Sequence, residues 1–448
     1  MLSTVLSTYF LLCAFQTLSE CANILGIFPI PSRSHAILGH KLLRGFAEHG
    51  HNVTMLTFFP ESKPHENFKT ILMDIEKPRH VYESNIIKKP WFTMKVIQMF
   101  GTLGKISEVV YEDKQVQKLI NSNNSFDAVI YFQCTADSLL GFSHKFNASS
   151  IMFSVLGSSQ MSSYSFGHSL PSAYVPNVWL GYNDEMTLWQ RFHNWISNIV
   201  GDLYLNTYHT HQQRRLLREN FPQSPSLDEL RENVELELVN SHIAIDTIRP
   251  THQNMIDIGG YYMGNREYIS EDIKELLDQS KNGVILLSFG TNLNRSNMSP
   301  QLINAFLDYF KRSKYDVLWK FDVNFVNNTK NMKIVNWLPQ REVLSHSSVK
   351  LFITHGGKGS INEAVYHGVP MIVLPFYADQ HANAEYCVKN RIGIKLDVAY
   401  VNSDILENAI QRIEQEPHFK NNIQVRSNLF KNQEINPMKK AIFWTEAI

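Results

Sequence analysis

The sequence predicts an α/β chain of two doubly wound, Rossmann-like parallel-sheet domains, and three observations carry that expectation. Its 448 residues exceed one ordinary core and suit two domains of about 200 residues each. A strand–helix–strand series opens at Asn23, and a second series of the same kind opens at Asn282. Between them GGYYMG, at Gly259–Gly264, breaks both patterns and marks a linker.

The elements follow in order. ANILGIFPI is a nearly continuous apolar run, the mark of a strand covered on both faces. HAILGHKLLRGFAEHGH has its apolar residues at helical spacing, and NVTMLTFF reads as the next strand. FDAVIYF at Phe126–Phe132 and SIMFSVL at Ser150–Leu156 supply further buried strands. Residues 60–120 and 160–235 are rich in aromatics, Met and amphipathic helical patterns without a repeat. From Asn282 the chain runs GVILLSFG, a helix around Gln301–Arg312, then DVLWKF, KIVNW, KLFIT and MIVLPF, with helices between strands.

Composition excludes several classes. Lys plus Arg equals Asp plus Glu at 42 each, so no global field favours nucleic acid or an anionic membrane. The N-terminal stretch MLSTVLSTYFLLCAFQTLSECA has an apolar core from Tyr9 to Phe15 and a small-residue site near Ala22, as a secretory signal peptide does. Cys13 and Cys21 fall inside it, which leaves Cys134 and Cys387 and argues against a disulfide framework. Sequons at Asn52, Asn123, Asn147, Asn294, Asn297 and Asn327 are compatible with luminal glycosylation. No later stretch approaches the roughly 20 apolar residues that span a bilayer. No G-x-G-x-x-G follows the first strand, which argues against a dinucleotide-dependent dehydrogenase. GGKGS lacks the spacing of a P-loop, no D-x-D occurs, and no tight zinc spacing is present.

The stretch Trp337–Gln380 carries the chemistry. VKLFIT, HGGKGS and INEAVYHG form an apolar strand, a glycine-rich turn and the start of a helix. Gly356, Gly357 and Gly359 remove side chains that would hold a ligand off the backbone. The helix opening near Ser360 offers free N–H groups and a positive dipole end, which suit a diphosphate. A lone strand–turn–helix is a weak signal, but polar residues at fixed spacings surround this one.

Those residues resemble the donor signature of the UDP-glycosyltransferase family. Trp337, Pro339, Gln340, His346, Thr354, His355, Gly357, Ser360, Glu363, Gly368, Pro370, Pro375, Asp379 and Gln380 all fall in its register. The similarity extends to SFGTN at Ser288–Asn292, VLWKF at Val317–Phe321 and PSRSH at Pro31–His35. One departure is Lys358-Gly359, where members commonly carry Leu-Leu.

The resemblance implies a GT-B fold, two such domains facing a cleft. It divides the chain into a signal peptide (1–22), an acceptor-binding domain (23–258), a linker (259–281), a UDP-sugar-binding domain (282–435) and a helix crossing back to the first domain (436–448). Members usually continue into a membrane anchor, so this chain is either an unanchored variant or incomplete. The expected location is the secretory pathway, in the endoplasmic reticulum lumen or outside the cell.

The resemblance also assigns roles. Trp337 would stack on uracil, with Gln340 at the nucleotide and Glu363 on the ribose hydroxyls. His355 would donate to the diphosphate beside Gly357, Gly359 and Ser360, with Ser288, Gly290 and Thr291 completing the donor site. Asp379 and Gln380, at a strand's carboxyl end, would grip the sugar. His35 would be the catalytic base; its acidic partner in vertebrate members would stand at Phe132, and the nearest acid beyond is Asp137. Asp137 reads equally well as an N-cap for SLLGF. Trp91, Phe92 and Met94 say only that the acceptor site is apolar. The expected reaction is inverting transfer of a hexose, with glucose favoured, from a UDP-sugar co-substrate to a small lipophilic alcohol, with no metal or other cofactor. The alternative is a non-catalytic member that binds lipophiles or sugar nucleotides.

Overall fold

The computed structural model describes residues 21–61, 63–86, 94–133, 136–157, 162, 166–167, 169–264, 267–291, 293, 298–322 and 328–448. Two sheets organise the chain, and every neighbouring pair of strands in them is parallel. The first contains β1 (Asn23–Phe28), β2 (Asn52–Thr57), β3 (Phe68–Leu72), β4 (Ala128–Phe132), β5 (Ser149–Ser154), β6 (Leu236–Val239) and β7 (Met255–Asp257). Its spatial order is β3-β2-β1-β4-β5-β6-β7. The second contains β8 (Val284–Ser288), β9 (Asp316–Lys320), β10 (Met332–Val335), β11 (Val349–Thr354), β12 (Met371–Val373) and β13 (Gly393–Lys395), in the order β10-β9-β8-β11-β12-β13.

Both orders reverse direction once, between β1 and β4 in the first sheet and between β8 and β11 in the second. Ligands of open α/β sheets bind outside the carboxyl ends of the strands at such a reversal. His35 follows β1 and Gln133 follows β4, while Gly290 follows β8 and His355 follows β11. The topology therefore aims the residues singled out in the sequence at two crevices that share one cleft.

Residues of β8 show why its strand reads as an unbroken apolar run. Val284 and Leu286 join the core shared with the first domain, while Ile285 and Leu287 join the core on the sheet's other side. Alternate side chains point to opposite faces, so a strand covered twice must be apolar throughout. The anticipated strands and the helix near Gln301, here Pro300–Phe310, are present; β3, β6, β7 and β13 are additions of three to five residues. The segment read as a linker also contains a helix, Glu271–Gln279, anchored by buried Ile273 and Leu277.

The last helix, Pro437–Glu446, packs against the helix Arg33–Glu48 and against β6. Its Glu446 lies 3.2 Å from His51 and 3.6 Å from His49. The sequence offered no zinc spacing, yet the fold gathers these three as a group that could hold an ion. The backbone N–H of Ala22 donates to His51 Nδ1 at 3.3 Å. An imidazole that accepts at Nδ1 is neutral and carries its proton on Nε2, toward the carboxylate, so that nitrogen is not a free metal ligand. Among the described residues no helix is long and apolar enough to cross a membrane.

Candidate active site

The cleft between the sheets has a volume of about 1940 Å³ and is lined from both domains. Sites for one drug-sized ligand run to roughly 1,000 Å³, so this one has room for two substrates together.

On the second domain, β11 ends at Thr354 and the chain turns through His355, Gly356 and Gly357 into the helix Lys358–His367. Gly356 has φ +85°, and a Cβ there would fall 2.6 Å from Val373 Cγ1, so only glycine fits the turn. Gly290 and Gly357 serve a different end. A Cβ on either would come 2.7 Å or less from the His355 ring, so both glycines make room for the imidazole itself. Gly359 faces open space. Burial, aided by nearby Lys320, lowers the pKa of His355 to about 3. It is therefore neutral at physiological pH and has one ring N–H to donate.

Glu363 lies one turn into the helix and accepts from Gln340 Nε2 at 2.7 Å, and the same nitrogen donates to Ser360 Oγ at 3.1 Å. Burial raises the Glu363 pKa against the pull of Lys41 and Gln340. A carboxyl acceptor lining the cleft is thus held in place before any ligand arrives. Trp337 is 46 % exposed, and its ring meets Arg33 at 4.7 Å and Lys320 at 4.6 Å. Arg33 comes from the first domain, so this cation–π contact crosses the cleft. A stacking uracil would have to share or displace one of these cations.

Asp379 accepts from Asn383 Nδ2 at 2.6 Å, and that nitrogen also donates to Gly356 O at 2.8 Å, tying this acid to the glycine turn. The residue before it, Ala378, sits at φ +54°, the left-handed region that non-glycine residues avoid. Gln380 is less available than its sequence position suggests. Its Oε1 accepts from the backbone of Phe376 and Tyr377, and the residue is almost fully buried at the cleft's edge. Gly290 and Thr291 line the cleft, but Ser288 is fully buried and its Oγ accepts from Gly290 N. Ser288 supports the loop and does not face the donor.

Lys320 went unnoticed in the sequence. At the end of β9 it donates to Gly290 O at 2.9 Å, and burial together with Arg33 lowers its pKa to about 8. The signal available was its place at a strand's carboxyl end inside VLWKF.

On the first domain, His35 opens the helix Arg33–Glu48 and lines the cleft. Its Nδ1 is buried with no hydrogen-bond partner, and its ring meets Phe132 edge-on at 5.2 Å. Burial lowers its pKa to about 4. Asp137 does not reach it. Burial works against the Asp137 charge, yet the Arg231 guanidinium, with Nε at 2.9 Å, holds the carboxyl below the usual range. The expected His35–Asp137 pair is therefore replaced by an Asp137–Arg231 pair that ties the turn after β4 to the helix Leu227–Glu232. Asp137 is not an N-cap either: it is the first residue of a 3₁₀ turn, Asp137–Leu140, whose cap position is Ala136. Trp91 and Phe92 lie outside the described residues, and for Met94 only its place at the start of the helix Met94–Glu112 is described.

Two parallel sheets of this order around one shared cleft define the GT-B glycosyltransferase fold. Solved structures agree: the calicheamicin glycosyltransferase CalG4 superposes with a TM-score of 0.65 at 15 % identity, covering 96 % of this chain and 98 % of that one. A UDP-glucose:anthocyanidin 3-O-glucosyltransferase in complex with UDP gives 0.59 at 18 %, covering 96 % and 100 %. The profile of the family described as UDP-glucoronosyl and UDP-glucosyl transferase matches residues 31–448, and the chain belongs to that family. Among relatives, UDP-glycosyltransferase UGT4 of Dactylopius coccus is 30 % identical over 95 % of this chain and 85 % of its own length. The ecdysteroid UDP-glucosyltransferase of Lymantria dispar multicapsid nuclear polyhedrosis virus is 28 % identical over 98 % and 89 %. The chain is thus a UDP-glycosyltransferase.

Proposed function

We propose that the enzyme transfers glucose from UDP-glucose to a hydroxyl of a small lipophilic acceptor, with inversion at the anomeric carbon. His35, neutral at physiological pH, takes the acceptor's proton as its oxygen forms the new bond to the anomeric carbon. The bond from that carbon to the diphosphate breaks on the opposite face, and its electron pair leaves with UDP. An α-linked donor then yields a β-glycoside. His355, the N-terminus of the helix at Lys358 and the Lys320 ammonium share the charge growing on the diphosphate. These groups supply what a metal would otherwise provide. The observation that carries the reading is that His35 and the donor residues line one cleft large enough for both substrates.

Glucose as the donor sugar is favoured by relatives that are named UDP-glucosyltransferases. The apolar stretch from Tyr9 to Phe15 and the sequons support a place in the secretory pathway. The deciding experiment is turnover of UDP-glucose and UDP-glucuronate against a panel of phenols and steroids, with the product's anomeric coupling read by NMR and a parallel series in EDTA. Formation of β-glucosides, undiminished in chelator, supports the reading. An α-product, or reversible loss of turnover in EDTA, overturns the inverting or the metal-free step. A second reading, a binding protein without turnover, is favoured by one observation: among the described residues no acid supports His35 Nδ1. UDP binding without turnover of any acceptor would establish it.

A further inference from the structure

Lys358 is where this chain departs from its family's pattern, and the structure gives that departure a consequence. In GGKGS a lysine at the head of a helix invites the expectation that it reaches toward phosphate. It turns the other way. Its Nζ lies 2.5 Å from Asp246 Oδ1 and donates to Ile245 O at 2.8 Å, both in the first domain. The two side chains are only 11 % and 13 % exposed. Asp246 Oδ2 is buried with no hydrogen-bond partner, so the lysine is the group that neutralises this carboxylate. The same segment is gripped beside the pair: Ala244 O accepts from Tyr386 Oη at 2.6 Å and from Arg426 at 3.1 Å, two second-domain residues.

We propose that Lys358 and Asp246 are a positioning pair that fixes the first domain against the head of the donor helix, so that affinity for the UDP-sugar depends on them. The physical reason is position. Lys358 is the first residue of the helix Lys358–His367 and follows Gly357 directly, so whatever holds its side chain also holds the turn carrying His355 and Gly357. Asp379, the sugar-side acid, lies close enough to feel the Lys358 charge and to accept from its backbone N–H. A leucine at 358 would leave the buried Asp246 carboxylate unpaired, so the two positions act as a unit.

The inference rests on the donor-site reading, and one experiment separates the two. UDP binding by calorimetry, donor KM, kcat and the thermal midpoint are measured for the parent, Lys358→Met, Asp246→Asn, the double variant and Lys358→Arg. Each single variant is expected to weaken UDP binding and raise donor KM about tenfold, whatever accompanying change kcat shows. The double variant should lose less than the product of the singles, and arginine should recover most of the affinity. Folded single variants that bind UDP like the parent, or singles whose losses multiply in the double, overturn the pair. So does a loss confined to kcat. Should a single variant fail to fold, the charge-free double variant and Lys358→Arg decide by the same affinities. A parent chain that binds no UDP refutes the donor-site reading instead.

Discussion

The two walls of the cleft are built on opposite principles. On the donor wall the polar groups aimed at the ligand are held by second partners: Glu363 by Gln340, Asp379 by Asn383, and His355 by the space that Gly290 and Gly357 leave for it. On the acceptor wall His35 stands against Phe132 with its buried nitrogen unpartnered. The difference follows from what each wall must bind. A nucleotide-sugar presents the same hydroxyls and charges every time, so fixing their partners in advance lowers the cost of binding. The lipophilic acceptors proposed above would share little with one another beyond a hydroxyl and an apolar body, so the proposed base would need no fixed polar partners around it. His35 is a weak base in this setting. Burial holds it neutral, but a pKa near 4 lies well below the operating pH at which a general base works best.

The comparison breaks most visibly at His35. A positioned base contributes about 10²–10⁴-fold, so His35→Ala should slow transfer by that range and leave UDP affinity nearly intact. A variant that glycosylates alcohols at the parent rate would remove the base from the acceptor wall. The donor wall should respond the other way. Trp337→Ala and Glu363→Ala should each weaken UDP binding, by roughly 1–3 kcal/mol for a lost stacking platform, read by calorimetry. Unchanged affinity in both folded variants would mean that the nucleotide lies elsewhere. Smaller still is the effect of pH. His35 acts only when neutral, so the acid limb of kcat/KM should fall through about 4 and not near the ordinary 6.5. The stability linkage runs the same way. The folded state disfavours protonated His35, so this contribution is present above the ordinary value and is lost as pH falls toward 4. An acid limb of kcat/KM near 6.5 would overturn the lowered value, whereas a limb of kcat near 6.5 beside one of kcat/KM near 4 would show that the acceptor raises the basicity of His35 when it binds.

Much of the donor wall could be read in the sequence because one continuous span, Trp337–Gln380, carries it. A strand, a turn and a helix in succession fix the relative places of His355, Ser360 and Glu363 without help from distant parts of the chain. Residues that answer to tertiary contacts were not legible. Ser288 looks like a ligand residue in SFGTN but turns inward, and Lys320 looks like an ordinary strand end but faces the cleft. The short strands β6, β7 and β13 escaped because three or four residues carry no usable period. The acceptor wall suffers most, since its partners come from segments far apart: Arg231, which captures Asp137, lies 94 residues away.

Asp137 gives the smallest expected catalytic effect and the sharpest test of the contrast between the walls. Its carboxylate faces Arg231, not His35, so Asp137→Asn should leave the pH limb of kcat/KM where the parent has it and change kcat little. The cost should appear in folding. Arg231 is buried, and an amide in place of the carboxylate removes the charge that compensates it, which should lower stability by about 1–3 kcal/mol, read as a fall in the denaturant midpoint. The partial exposure of Asp137 keeps the figure below that of a fully buried pair. Asp137→Asn combined with His35→Ala should be about as slow as His35→Ala alone, with the two stability changes adding, because the two residues share no contact. A loss of kcat approaching that of His35→Ala, with the acid limb of kcat displaced, would instead mean that Asp137 leaves Arg231 for His35 once an acceptor is bound. The acceptor wall would then organise itself only on binding, where the donor wall is organised beforehand.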